Sequence, residues 1–284
     1  MLKNKKKLNE SEIRSEFITP ALKNSGWRLG KTYREEYPIT QRQIIAGKTL
    51  KRNAPLRADY VLFYRPNVPL AVVEAKDNKH NIADGMQQAL KYAGMLDIPF
   101  AFSSNGDGFI FHNKLEKVGK VETFLNLSDF PSPEKLWEMY KAGRSLSGDR
   151  QKIIDQPYYL ENPEKLPRYY QINAVNKTVE EIADGRKRIL LVMATGTGKT
   201  FTAFQIIWRL WKARIKKRIL FLADRKNLIT QTFTNDFSPF KESMTWVKRT
   251  NFDTAHEIYL ALYQGLSGEE ETASLFKKFG PNFF

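Results

Sequence analysis

Cysteine is absent from this 284-residue chain, and histidine occurs only three times, at His80, His112 and His256. Disulfides and thiolate metal sites are therefore excluded, and three scattered imidazoles do not make a zinc cage. Any metal must be held by oxygen ligands. Long apolar runs are missing too. Nothing approaches the roughly 18 residues that a membrane helix needs, and Lys3, Lys5, Lys6 and Lys7 lead into polar, helix-forming sequence rather than a signal core. The expectation is a cytoplasmic protein with no membrane partner. Acidic residues are scarce beside basic ones, 31 against 46, for a net charge of +15. The excess is no tail, since residues 1–130 hold 21 basic and 14 acidic side chains and the remainder 25 and 17. A spread of that kind points to a polyanionic partner.

What is present suffices for two cores: 42% of residues are hydrophobic and 13% aromatic, at a length that suits two domains of roughly 100–200 residues. Ser11 to Asn24 has helical spacing of Ile13, Phe17, Ile18, Ala21 and Leu22, with Gly26 as the stop. Tyr33–Ile39 predicts a strand. Residues 41–58 carry Arg42, Lys48, Lys51, Arg52 and Arg57 without one acid, either a surface facing a polyanion or a solvated loop. Residues 57–64 and 69–76 are β-rich runs around Arg65-Pro66-Asn67-Val68, a hairpin pattern. A helix from Ile82 to Leu96 and short strands at Phe100–Ser103 and Phe109–His112 complete an α+β unit over 1–130. Prolines 131, 133, 157, 163 and 167 mark a connector over 131–166. From 167 onward, helices at Tyr170–Asp184, Lys199–Ala213 and near Asn227–Phe233 alternate with apolar strands at Arg188–Met193 and Ile219–Ala223. That alternation predicts an α/β domain with parallel strands.

The run Ile189 to Met193 leads into Ala194-Thr195-Gly196-Thr197-Gly198-Lys199-Thr200. A strand, a glycine loop and Gly-Lys-Thr at a helix start are what phosphate binding requires. Glycines let backbone N–H groups of Thr195 to Gly198 close on phosphate oxygens, the helix start adds positive potential, Lys199 reaches the outer phosphates, and Thr200 presents a hydroxyl to Mg²⁺. Thr-Gly-x-Gly-Lys-Thr arises by chance in roughly one chain per thousand or fewer, so an empty glycine turn is the weaker reading.

A second constellation sits on the hairpin. Asp59 is on the first run, and Val72-Val73-Glu74-Ala75-Lys76 on the second. On a strand Glu74 and Lys76 share a face. A loop at 65–68 pairs residue 64 with 69, and hence Asp59 with Glu74. Facing carboxylates about 5 Å apart repel unless a cation lies between them, so the pair predicts a Mg²⁺ site with Asp59, Glu74 and the Ala75 carbonyl as ligands. Lys76 would orient or deprotonate the attacking water and stabilise charge on an attacked phosphate. The ordinary reading is a surface Asp and a Glu–Lys ion pair.

These residues also carry resemblances. Asp59, fourteen intervening residues, then Glu74-Ala75-Lys76 resembles the PD-(D/E)XK nuclease signature, with Ala58 in place of its proline. Gln88-Ala89-Leu90-Lys91-Tyr92 is similar to the Q-x-x-x-Y of its RecB-like branch, where Gln88 and Tyr92 stand one helical turn apart. That branch often carries another acid on its first helix, a role assigned to Glu16, for which a solvated position is the alternative. Met193 to Thr200 resembles motif I of superfamily 2 helicases and translocases, with Met193 where the generic pattern has glycine. Arg168-Tyr169-Tyr170-Gln171 is similar to their Q-motif, in which Gln171 would read adenine. Leu222 to Gln231 resembles motif Ia and Tyr263-Gln264-Gly265 motif Ib.

In this order the motifs resemble the restriction (R) subunit of type I restriction–modification enzymes. The resemblance implies an α+β PD-(D/E)XK nuclease domain over 1–130 and an incomplete RecA-like P-loop lobe over 167–284. It implies Mg²⁺ and ATP as cofactors, double-stranded DNA as substrate, and methyltransferase and specificity subunits as partners. No Walker B Asp-Glu strand follows motif Ib before Phe284, so nucleotide binding is expected to be weakened and translocation by this chain alone is not expected. Two other readings stay open, a noncatalytic DNA-binding or assembly module and a standalone nucleotide-binding protein.

Overall fold

The computed structural model describes residues 4–39, 56–161, 167–247, 253–263 and 283–284. The chain divides into two compact units, one of residues 1–147 with 166–173, the other of 148–165 with 174–284.

The first unit opens with a 3-10 turn, Lys5–Lys7. Then follow α1 (Glu10–Ile13), a π turn (Arg14–Ile18) and α2 (Thr19–Asn24). The helix starts one residue earlier than the apolar spacing predicts because Asn9 and Glu12 form a capping box. The Glu12 N–H donates to Asn9 Oδ1 at 3.0 Å and the Asn9 N–H to Glu12 Oε2 at 2.8 Å. Pro20, with no N–H for the ladder, lies just past the π turn.

β1 (Tyr33–Ile39), β2 (Leu56–Arg65) and β3 (Val68–Ala75) are followed by α3 (Met86–Met95), β4 (Phe100–Ser104), β5 (Phe109–Asn113) and β6 (Glu122–Leu125). The six strands lie side by side in chain order. All neighbours are antiparallel except β3 and β4, which are parallel and joined by the α3 crossover. β3 is buried along nearly its whole length, as a strand covered on both faces must be, which explains its continuous apolar run. The β2–β3 hairpin turns on Pro66-Asn67 alone, with Asn67 at φ 65°, two residues rather than four. The expected register holds, with Tyr60 opposite Val73 and Val61 opposite Val72, because closing the turn one pair earlier, at Arg65 with Val68, keeps the same pairing; irregularities are confined to the neighbourhood of Phe63.

α3 is shorter than the Ile82–Leu96 helix expected from sequence. Asn81 and Asp84 side chains accept from the backbone of Ala83 and Asn81 at 3.0 and 2.9 Å, a turn that competes with helix. α3 covers the sheet face carrying Val61, Phe63, Val72 and Ala101. α4 (Pro133–Arg144) belongs to this same unit, with Trp137 stacked on Tyr64 at 4.4 Å. The proline-rich stretch is thus packed rather than free along this helix.

The second unit contains α5 (Gly148–Ile154), most of α6 (Tyr169–Ala183), α7 (Lys199–Lys212), β7 (Ile219–Ala223), α8 (Lys226–Gln231), β8 (Met244–Trp246) and β9 (Ile258–Leu262). Its three strands run parallel in the order β7-β9-β8, around a core of Phe204, Ile207, Ile229, Phe237, Phe240, Ile258 and Leu260. α7 holds the 148–160 segment through backbone contacts: Gln205 pairs with both N–H and C=O of Tyr159 at 3.1 and 2.7 Å, and buried Arg209 donates to the carbonyls of Ile153 and Ile154.

One predicted strand does not form. Residues 188–194 join no ladder, and Leu190 and Val192 are 86% and 89% exposed. An apolar run becomes a strand only when a neighbour satisfies its backbone groups, and no described strand pairs with this one. Residues 41–55 of the basic segment, and Gln264 and Gly265 of the motif Ib match, lie outside the described residues. Among the described residues no helix is long and apolar enough to cross a membrane.

Candidate active site and phosphate loop

The β2–β3 hairpin brings Asp59 and Glu74 together. The Asp59 N–H donates to Glu74 Oε1 at 3.2 Å, and the Ala75 N–H donates to Asp59 Oδ2 at 2.8 Å. Glu74 is 1% exposed. The chain passes directly over it at Gly85, where a Cβ would lie 2.7 Å from Ser103 Oγ and 3.3 Å from Glu74 Cβ. Burial first, and the neighbouring Asp59 second, push the Glu74 carboxyl up to about 9 from an ordinary 4.5. This pocket calls for a proton or a cation beside Glu74, and in that respect the residues fit a divalent metal. Among the described residues no group of three or more Asp, Glu, His or Cys side chains gathers at one point, so such an ion would rest on Asp59, Glu74, the Ala75 carbonyl and water, the sparse oxygen set that suits Mg²⁺.

Lys76 follows at the strand end. Its Nζ lies 3.4 Å from Gln88 Oε1 and 3.7 Å from Glu10 Oε2. Gln88 Nε2 in turn donates to the Tyr92 hydroxyl at 3.3 Å. The helical pair expected from sequence is thus a chain of contacts ending on the lysine, with Tyr92 anchored in the core.

Sequence reasoning missed two residues at the hairpin, Glu10 and Arg14. Glu16 is exposed on the π turn, about 160° around the helix from Arg14. The acid that reaches the hairpin residues is Glu10, whose carboxyl is raised by burial first and by Asp59 second. Arg14, one turn further, lies 3.3 Å from Asp59 Oδ1, pairs also with Glu36, and stands 5.0 Å from the centre of the Tyr60 ring. Burial works against its charge, but Glu36, Tyr60 and Asp59 outweigh that and hold the guanidinium above its ordinary value. The Asn9/Glu12 capping-box signature would have started the helix at Glu10 and shown Glu10 and Arg14 on one flank.

In the second unit the loop before α7 turns through Gly196 and Gly198 at φ 75° and 86°, a region that favours glycine. Lys199 Nζ donates to the Met193 and Ala194 carbonyls at 3.3 and 3.2 Å, and Thr197 Oγ1 to the Ala194 carbonyl at 2.6 Å. Lys199 and Thr200 occupy the first turn of α7 and Thr195 begins the loop. In the first unit, Gln171 accepts from the Arg168 N–H at 2.9 Å through Oε1, so its side chain closes the start of its own helix.

A mixed α/β chain with paired acids and a lysine at a hairpin, and a Gly-Lys-Thr loop capping a helix, belongs to the class that joins a carboxylate site to a phosphate loop. The comparisons give that class a family. Residues 39–120 match "Type I restriction enzyme R protein N terminus", and residues 164–283 match "Type III restriction enzyme, res subunit". The chain is 48% identical, over 99% of its length, to the EcoAI endonuclease subunit of a type I restriction enzyme from Escherichia coli, and 30% identical over 90% to the EcoKI endonuclease subunit of strain K12. It covers 35% and 25% of those two proteins. It also superposes on a fragment of an HsdR subunit of a type I restriction enzyme from Vibrio vulnificus with a TM-score of 0.78, at 36% identity, over 98% of this chain and 50% of that one. The chain is thus similar, over nearly its whole length, to R subunits of type I restriction enzymes, and it spans only about a quarter to a third of the two curated relatives.

Proposed function

We propose that the first unit is a PD-(D/E)XK nuclease domain that cuts phosphodiester bonds of double-stranded DNA. The second is read as part of a RecA-like lobe that binds ATP through Thr195 to Thr200. In the whole subunit cutting would be coupled to ATP-driven translocation, in a complex with methyltransferase and specificity subunits. One observation carries the nuclease reading: Asp59 and buried Glu74 are bonded across one hairpin, with Lys76 two residues on and held by Gln88 and Glu10.

Mg²⁺ on Asp59, Glu74 and the Ala75 carbonyl would supply positive charge to the attacked phosphate. The chain's own residues do the rest. The Ala75 N–H and Arg14 fix both oxygens of Asp59. Gln88 and Glu10 keep the Lys76 ammonium at the strand end, where it orients the attacking water and stabilises charge building on the phosphate. Tyr92 fixes Gln88.

The test is nicking of supercoiled plasmid by the purified chain with Mg²⁺. Asp59→Ala and Lys76→Ala are expected to lower the rate by about 10³-fold without changing the thermal melt. Nicking that survives both substitutions, or intact plasmid with Mg²⁺ and with Mn²⁺, would leave the noncatalytic DNA-binding module as the better reading.

A further inference from the structure

The lysines at the start of the chain, which the sequence offers only as the flank of an absent signal core, are docked at the catalytic end of the sheet. β3 and β4 end side by side, with Ala75 opposite Ser104 and the Lys76 N–H donating to the Ser104 carbonyl at 2.9 Å. The turn that follows β4 is where the N-terminal 3-10 turn lands. Lys5 Nζ donates to the Gly106 carbonyl at 2.8 Å, pairs with Asp107 at 3.0 Å and stands 4.5 Å above the Phe17 ring. The other Asp107 oxygen accepts from Asn78 at 2.9 Å, two residues past Lys76. Asn4 caps the turn on one side, and buried Leu8 closes it on the other.

A 3-10 helix has three residues per turn, so consecutive side chains point about 120° apart. With Lys5 turned inward, Lys6 and Lys7 must flank it outward. Both are exposed, and neither has a carboxylate within ion-pair distance among the described residues. One inter-strand spacing and two or three residues of chain separate this turn from Ala75, about 10–15 Å. That span is about three or four base-pair steps measured along the duplex axis. The Lys5 contacts and the Asn4 cap hold the backbone of the turn that presents the two exposed ammonium groups.

We propose that the Lys5–Lys7 turn is a DNA-backbone grip, in which Lys6 and Lys7 contact phosphates flanking the one placed at Asp59, Glu74 and Lys76. The inference rests on the nuclease reading for its substrate. Its test avoids catalysis: affinity of the full chain for a fluorescent duplex oligonucleotide is measured without divalent metal between about 50 and 200 mM KCl. Lys6→Ala with Lys7→Ala should flatten the slope of log affinity against log salt by about 1.8, at about 0.9 per phosphate contact. The ratio of wild-type to variant affinity then shrinks about 12-fold across that range. Lys6→Arg with Lys7→Arg should restore the slope, and Lys117→Ala with Lys120→Ala, on an exposed loop of the same unit, should leave it unchanged. A slope equal to wild type in the double alanine variant overturns the proposal, as does a wild-type chain that binds no duplex. Metal-dependent nicking abolished by Asp59→Ala would in either case leave the nuclease reading standing.

Discussion

The two candidate sites are built in opposite ways. At the hairpin the candidate site is made of side chains: Asp59, Glu74 and Lys76 are held from neighbouring elements, with Glu74 sealed under Gly85. At the loop before α7 it depends on backbone. Two positive-φ glycines and a helix start shape the candidate phosphate cradle, although the run preceding it joins no strand and lies exposed. A backbone site needs only local conformation, whereas a side-chain site needs the sheet register and everything packed on it. The hairpin should therefore be sensitive to packing changes that the loop tolerates.

Glycine replacement is the sharpest way to test this contrast. Gly85→Val adds branches where a Cβ already meets Ser103 Oγ at 2.7 Å, and should cost about 3 kcal/mol in denaturant unfolding of the first unit, with loss of nicking. A midpoint unchanged from wild type would show that Glu74 is not sealed as described.

The pH dependence of the hairpin is the next effect. A Glu74 carboxyl pushed up to about 9 is favoured protonated in the folded chain. That contribution is complete below the ordinary 4.5 and is lost as pH rises through about 9. The metal-free protein should lose thermal stability between these limits, Mg²⁺ should reduce the loss, and Glu74→Gln should flatten it. Equal pH profiles for wild type and Glu74→Gln would contradict the raised acid.

Smaller effects belong to the loop. Gly196→Ala meets no atom within 4 Å but keeps φ at 75°, so strain alone should cost about 1–2 kcal/mol. Lys199→Ala removes only two exposed contacts to carbonyls and should change stability by no more than about 0.5 kcal/mol. Under the proposed function it should still weaken binding of a fluorescent ATP analogue by tenfold or more, in the manner of a phosphate-contacting charge. Equal analogue affinity in the two proteins would remove Lys199 from that role.

Much of this was legible in the residues. Alternation and turn chemistry placed β2 and β3, and the pairing of Asp59 with Glu74 followed from register. Gln88 and Tyr92 share a helical face at any helix start. The misses have physical causes. Glu16 rests on the family resemblance and not on spacing, while the capping box begins the helix at Glu10 and places Glu10 and Arg14 beside the hairpin. The strand expected at 188–193 was read from hydrophobicity, which measures what a segment can bury and not whether a neighbour exists to pair with it. β6, with a largely exposed pattern, carries almost no apolar signal and exists because β5 offers it an edge.

By itself, then, the sequence determined the chemistry on hand: oxygen ligands in place of sulfur, two acids and a lysine in strand register, a glycine-lysine-threonine helix start, and an excess of positive charge. Each follows from residue type and near-neighbour spacing. Only the tertiary structure decided that Glu10 and Arg14 join the hairpin, that Arg14 holds Asp59, that Glu74 is sealed and its acid raised, and that the N-terminal lysines stand beside the ends of β3 and β4. Those facts depend on contacts between residues as much as 101 or 102 positions apart, such as Lys5 with Gly106 and Asp107. Such contacts are set by how sheet, helix and turn pack, which no local spacing records.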